Sequence, residues 1–328
     1  MDGWERDIRI VVATSPISLM VRSVVLMRQS VAPWPAEQPD SPLWVRSSPR
    51  FSEMIQVPIE RGELAAEVFG PVDANPVLLI AGGGGAMWSW SRILPEAWPD
   101  NFGSVARLEP VRSLAADMRV AVYDQAGIGL SATTEPADNT ATAALDALAV
   151  GRALLGERFT VTGMSLGGAA AIRLALDQPT VVEQLVLVCT FASASTFVSV
   201  PVATNGEIDD ERSVGADVRR SLQPGFCDRH PDLVDAVIAA SLDLDVHPAL
   251  NDRSIEVFLS HDGHDLVHIA APTTVVCGSA DSVFGIENSE QIANSIPDSR
   301  FVRLLDVGHA VHLEAPHALS DAIRGAPH

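Results

Sequence analysis

The sequence predicts an α/β domain built on a mostly parallel, doubly wound sheet, with a helical cap inserted between the sixth and seventh strands. Three observations carry that expectation. Short apolar runs recur along the chain, and several end in turns rich in glycine or aspartate. Segments with helical apolar spacing lie between them. One late interval, from the run ending at Cys189 to the run starting at Thr273, has helical stretches and no good strand.

The elements follow in order. Ile55–Ile59 alternates, as a half-buried strand does, and Glu63–Phe69 reads as the next strand. Val77–Ala81 is wholly apolar and runs into four glycines, Gly82 to Gly85, which suits a strand covered on both faces and leaving by a sharp turn. Arg119–Tyr123 is another strand, and the turn from Asp124 to Gly129 follows it. The spacing predicts a helix over Thr140–Leu155, with Ala144, Leu145, Leu148 and Leu155 near one face. Arg158–Thr162 reads as a strand and Leu166–Leu176 as an alanine-rich helix. Gln184–Cys189, Thr273–Cys277 and Phe301–Leu305 complete the strands. Inside the long interval, Pro201–Arg220 reads as polar and irregular, while Pro231–Ala240 and Ser254–Ser260 read as helices. Repeated strand–helix alternation implies parallel strands joined by crossovers.

These readings divide the chain into a core of residues 54–190 and 272–328 and a helical cap of residues 191–271. An insertion at one strand end suits a cover over a site. Residues 1–53 differ from the rest. They carry Pro33, Pro35, Pro39, Pro42 and Pro49, a linker composition, and are expected to be an irregular extension or to follow from a misplaced start. The uncharged stretch Ile10–Val21 is too short to span a bilayer and contains Pro16. Asp2, Glu5 and Asp7 outweigh Arg6 and Arg9, opposite to a signal peptide.

Composition removes whole classes of chemistry. Of 328 residues, 42 are acidic and 22 basic, and every basic one is arginine. Without lysine there is no phosphate-loop lysine, Schiff base, pyridoxal enzyme or S-x-x-K hydrolase. A net charge of −20 with no basic stretch argues against nucleic acid or an anionic membrane as partner. Cys189, Cys227 and Cys277 are widely spaced and odd in number, so no disulfide framework or zinc knuckle is expected. Cys189 and Cys277 read as small buried core residues, and a reducing, cytoplasmic location fits.

The chemistry centres on G-M-S-L-G at residues 163–167. Alone the pattern is common. Between a buried strand and a helix it is specific, because that turn strains the serine and projects its hydroxyl beyond the sheet. A hydroxyl nucleophile needs a base, and the base needs an orienting acid. Asp281 stands just past one strand end and His309 just past the next, in the chain order Ser, Asp, His. The expected roles are nucleophile for Ser165, proton carrier for His309 and tautomer control for Asp281.

With these residues in view, the chain resembles the α/β-hydrolase family from about Met54 to Arg324. The resemblance rests on the elbow, the G-S-A-D acid loop at 278–281, V-G-H-A-V-H-L-E-A-P at 307–316 and D-Q-A-G-I-G-L-S at 124–131. Within the family it is similar to small bacterial serine esterases of the aclacinomycin-methylesterase or proline-iminopeptidase kind. The resemblance implies a serine hydrolase that cleaves a carboxylic ester of a small molecule through an acyl-enzyme, with no cofactor and no metal. It further implies an oxyanion hole from the backbone N–H groups of Gly83 and Leu166, with Gly82 or Gly84 as alternative donors. Gly84 and Trp88 are the expected substrate contacts. Two positions depart from the family pattern: Ala81 stands where histidine is usual and Ala126 where arginine is usual, so both loops lack a common brace.

Other readings stay open. The same triad serves peptidases, thioesterases, lactonases and cofactor-free perhydrolases, and a non-catalytic ligand-binding protein could carry it. Ser165 in place of aspartate speaks against the epoxide-hydrolase and dehalogenase branches. Gly127 to Ala132 matches G-x-G-x-x-A, but Pro136 delays the helix a dinucleotide site needs. His261, His264 and His268, with Asp262 and Asp265, could share a helical face as ligands; Gly263 weakens that helix, and surface histidines are the preferred reading. His312 and His317 read as partly exposed helix residues, and Asp124 as the brace of its turn. Trp88 and Trp90 divide between pocket lining and core, as do Phe191, Phe197 and Phe226. The oligomeric state is open.

Overall fold

A computed structural model describes residues 54–83, 90, 110–198, 210–242, 244–263 and 265–325. The expectations for residues 1–53, Gly84, Trp88 and His264 lie outside the described residues.

Eight strands form one sheet: β1 (Ile55–Ile59), β2 (Gly62–Phe69), β3 (Asn75–Ile80), β4 (Met118–Tyr123), β5 (Phe159–Met164), β6 (Val182–Val188), β7 (Thr273–Gly278) and β8 (Arg300–Leu304). Their order is β1-β2-β4-β3-β5-β6-β7-β8. β1 pairs antiparallel with β2 and β2 antiparallel with β4, while every other pairing is parallel. The strands fall within a residue or two of the runs read from sequence. β5 and β7 are buried at all positions, which is why they appear as unbroken apolar or small-residue runs.

Helices cover both faces. Among the described residues these are α1 (Pro110–Leu114), α2 (Thr140–Leu154), α3 (Leu166–Asp177), α4 (Asp210–Ser221), α5 (Pro224–Arg229), α6 (Pro231–Leu242), α7 (Leu250–Ser260), α8 (Ile286–Ser295), α9 (Val311–Glu314) and α10 (Pro316–Ile323). The pleat sorts side chains between two cores. Leu78 and Ile80 of β3 join a cluster with α2 and α3 residues such as Leu154 and Ile172. Val77 and Leu79 join Trp90, Leu114, Leu319 and Ile323 on the other face. The α2 side approaches so closely that a Cβ on Gly151 would lie 2.1 Å from the Phe159 ring.

Two expectations about helices are corrected. On α2, Ala144 and Leu148 are buried but Leu145 is 61% exposed. The buried stripe runs through 140, 144, 147, 148, 151 and 154, and Leu145 lies 100° around from Ala144, off that stripe. The second correction is α4, which occupies much of the stretch read as irregular. Val214 is its buried anchor, Val218 packs on the same cluster as Phe226, and Asp217 pairs with Arg220 one turn on. With so few apolar contacts per turn, periodicity could not show it.

The segment between β6 and β7 carries α4 to α7. Its last helix is tied back to the body, where the Thr140 hydroxyl donates to Val257 O at 3.1 Å and Thr140 N to Ser260 Oγ at 2.9 Å. No helix among the described residues is long and apolar enough to cross a membrane.

Candidate active site

The turn from β5 into α3 places Ser165 at φ 54°, ψ −125°, a conformation that side-chain-bearing residues rarely adopt. The surroundings impose it. Ser165 N donates to Val188 O at 2.9 Å, and Ser165 O accepts from the Thr190 hydroxyl at 2.6 Å and from Gly168 N at 2.9 Å. The glycines of the motif are required by close approach. A Cβ on Gly163 would lie 2.5 Å from Gly167 O, and one on Gly167 would lie 2.2 Å from Ala81 O. Ser165 itself is nearly buried.

The loop after β3 runs against this turn. A Cβ on Gly82 would be 3.0 Å from Ser165 Cβ, and one on Gly83 would be 3.2 Å from Leu166 Cδ2. Both proposed oxyanion-hole residues, Gly83 and Leu166, therefore pack together beside the serine. The brace missing at Ala81 and Ala126 comes from Gln125, whose Nε2 donates to Ala81 O at 2.6 Å. Gln125 carries no signal of this role in the sequence, since the family pattern places its arginine one position later. Asp124 braces its turn as expected: Oδ2 accepts from Leu130 N at 2.8 Å. The G-x-G-x-x-A stretch forms a single short turn at Gly129–Ser131 and opens no helix.

Asp281 and His309 meet at the ends of β7 and β8. His309 Nδ1 lies 2.9 Å from Asp281 Oδ2, and Asp281 Oδ1 accepts from Val283 N at 2.8 Å and Phe284 N at 3.1 Å. Burial pushes the Asp281 carboxyl up, but His309 and these two N–H groups outweigh it, holding it below the usual carboxylate range. His309 is buried with Phe284 edge-on at 5.3 Å, and its Nε2 has no hydrogen-bond partner among the described residues. That buried nitrogen makes no hydrogen bond to Ser165, so the structure joins the base to its acid and leaves the serine unjoined to the base.

Cys189 and Cys277 are buried, as expected, but in a place the sequence did not reveal. Their sulfurs lie 3.7 Å apart directly beneath the acid, with Cys277 Sγ 3.9 Å from Asp281 Oδ2. Burial pushes the Cys189 thiol well up, so it is protonated. Cys189, Asp281 and His309 are the one group of potential ligand atoms gathered within 4.8 Å among the described residues. Asp281 and His309 already bind each other there.

Three histidine expectations change. His261 is buried, not on the surface, T-shaped against Phe191 at 5.0 Å. Burial lowers it to about 4. It ends α7, whereas His268 lies in a separate short turn, Leu266–His268, so the two share no helical face. His312 is also buried rather than partly exposed, packed on Trp90 with ring centroids 5.3 Å apart. Burial and then the nearby His309 lower it to about 3. His317 is exposed. Trp90 belongs to the core, and Phe191, Phe197, Phe258 and Phe284 form one aromatic cluster beside the acid loop. A small cleft adjoins the elbow at Leu166 and Gly167, between α2, α3 and α7.

Comparison with known proteins agrees with this architecture. Residues 75–316 match the family model of the alpha/beta hydrolase fold. The chain is 30% identical over 229 residues to the polyketide synthase ThaQ of Burkholderia thailandensis, covering 65% of this chain but only 10% of that much longer protein. It is 29% identical over 184 residues to the pimeloyl-[acyl-carrier protein] methyl ester esterase of Aromatoleum aromaticum, covering 50% of this chain and 74% of that one. It is 27% identical over 269 residues to the putative carbamate hydrolase RutD of Caulobacter sp. strain K31, covering 77% and 91% of the two chains. The family match takes in the glycine loop, the strained elbow and the Asp281–His309 pair together, and on that ground the chain belongs to the α/β-hydrolase family.

Proposed function

We propose that this chain is a serine hydrolase that cleaves a carboxylic ester, or a related acyl bond, of a small molecule through an acyl-enzyme. The family makes it a hydrolase of esters or related bonds; the nucleophile and the intermediate are our reading. The observation that carries it is Ser165 at φ 54°, since a buried non-glycine residue is kept in such a conformation only where its surroundings over-determine it.

In this reading the steps run as follows from the residues at the elbow and the two strand ends. Ser165 Oγ attacks the acyl carbon while His309 Nε2 takes its proton. Asp281 fixes the tautomer that leaves Nε2 unprotonated at the start, and it stabilises the imidazolium that forms. The backbone N–H groups of Gly83 and Leu166 receive the oxyanion, each worth about 3 kcal/mol of barrier. His309 returns the proton to the leaving alcohol, and water then releases the acid by the same steps in reverse.

A fluorophosphonate probe, followed by intact mass and peptide mapping, tests this. We expect one adduct, on Ser165, absent in Ser165→Ala and in His309→Ala. A well-folded protein that gains no adduct overturns the reading in favour of a ligand-binding protein on the same fold. Ester, thioester, lactone, carbamate and amide panels then rank the acyl bonds.

A further inference from the structure

We propose that Glu314 is a positioning residue whose carboxylate fastens the junction of α4 and α5, Arg220–Gln223, to the loop carrying His309, and so holds the imidazole in place for proton transfer. This inference rests on the serine-hydrolase reading above.

Glu314 ends α9, one turn past His309. Its Oε1 accepts from Gly308 N at 3.0 Å, and both carboxylate oxygens lie 3.2 Å from Gln223 N. One side chain thus spans the residue before His309 and a backbone N–H of the inserted segment. On the other side of His309, Ala310 N donates to Ser221 O at 2.9 Å. The acid loop is held by the same turn, as the Ser282 hydroxyl donates to Arg220 O at 2.7 Å. Leu222 and Ala310 are buried in one apolar cluster beneath these bonds. The approach is close enough to require glycine at 308, where a Cβ would lie 2.7 Å from Glu314 Oε1 and 2.8 Å from Gln223 N. The loops bearing Asp281 and His309 therefore share one anchor in the insertion, and Glu314 is the side chain whose carboxylate ties the His309 loop to it.

The clamp depends on pH. Burial raises the Glu314 carboxyl to about 7, against the two backbone N–H groups and Arg229 of α5, while Asp281 adds to the rise. Cys227, also on α5, and His309, on the adjoining loop, are the other titratable neighbours, and burial keeps the Cys227 thiol above its ordinary value. A carboxylate accepts stronger hydrogen bonds than a neutral acid, so the clamp tightens as pH rises through neutrality. A small displacement of a proton-transfer group costs up to about a hundredfold in rate.

The test compares wild type, Glu314→Ala and Glu314→Gln for fluorophosphonate labelling of Ser165 across pH, alongside hydrogen exchange and thermal melting. Glu314→Ala is expected to label about 10–100-fold more slowly while staying folded, and to lose amide protection around residues 221–223 and 308–310. Glu314→Gln keeps an acceptor oxygen, so it should retain that protection, recover most of the rate, and lose one ionisation from the acid limb. Wild-type labelling by Glu314→Ala overturns the positioning role, as does a Glu314→Gln variant no faster than Glu314→Ala. If wild type itself does not label, the acyl-transfer reading has failed, and exchange alone judges the clamp: unchanged protection in Glu314→Ala overturns it.

Discussion

His312 makes the folded protein acid-sensitive in a calculable way. The ring is buried against Trp90, and its lowered value of about 3 means that it stays neutral in the native state well below pH 6. The unfolded chain protonates it at the ordinary 6.5. A base with a depressed folded value loses stability as pH falls, because unfolding then takes up a proton; the window here runs from about 6.5 down to about 3. Within it the loss approaches 1.4 kcal/mol per pH unit, so lowering pH from 6 to 4.5 costs about 2 kcal/mol through this one side chain. Urea unfolding of wild type and His312→Leu at both pH values isolates the effect, since the other titrating groups are common to the two proteins. The variant should lose about 2 kcal/mol less than wild type over that interval. Equal losses would mean that His312 is solvated or protonated in the folded protein, and the reasoning would fail. In the proposed mechanism, a neutral His312 also spares His309 a cationic neighbour when it takes up the serine proton.

Three further outcomes are expected. Asp281→Asn keeps an oxygen for Val283 N and Phe284 N but presents an N–H to His309 Nδ1, selecting the wrong tautomer; ester turnover should drop about 10⁴-fold with the fold intact, measured by kcat and circular dichroism. Gly151→Ala drives a methyl into the Phe159 ring and should destabilise by about 1–3 kcal/mol in urea, a cost that Phe159→Leu partly relieves in a double-mutant cycle. Gln125→Ala frees Ala81 O and should lower the Ser165 labelling rate more than it lowers the melting temperature, because the bond it removes steadies the glycine loop rather than the core.

The parts that could be read from sequence are those where one residue's chemistry suffices. Ser165 and Asp281 follow β5 and β7, which are buried at every position and so read as unbroken runs, while His309 follows the half-exposed strand β8, located by the apolar residues Phe301, Val302 and Leu304. What escaped depends on partners distant in sequence. His312 has the polarity of a surface residue, yet it is buried with its ring tilted against Trp90, a partner far away in the chain. Gln125 becomes a brace through one bond to Ala81, forty-four positions away. Apolar spacing groups Leu145 with Ala144 and Leu148, while it is Asp146, its neighbour, that lies inward and pairs with Arg61 at 2.7 Å. α4 has too few apolar positions for its spacing to speak, and what holds it is a cluster supplied by α5 and α6.

The order of the sheet has a consequence for how the chain is made. β3 lies between β4 and β5, so its partners on both sides are synthesised after it. No hairpin can shelter Val77–Ile80 in the meantime, because the crossovers make every pairing of β3 parallel. From Ile80 to Met164 a ribosome needs roughly 4–17 s at about 5–20 residues per second. Through that interval the apolar run Val77–Ile80 has an open edge, so the nascent chain is exposed to aggregation until β5, the strand leading into Ser165, arrives to close it.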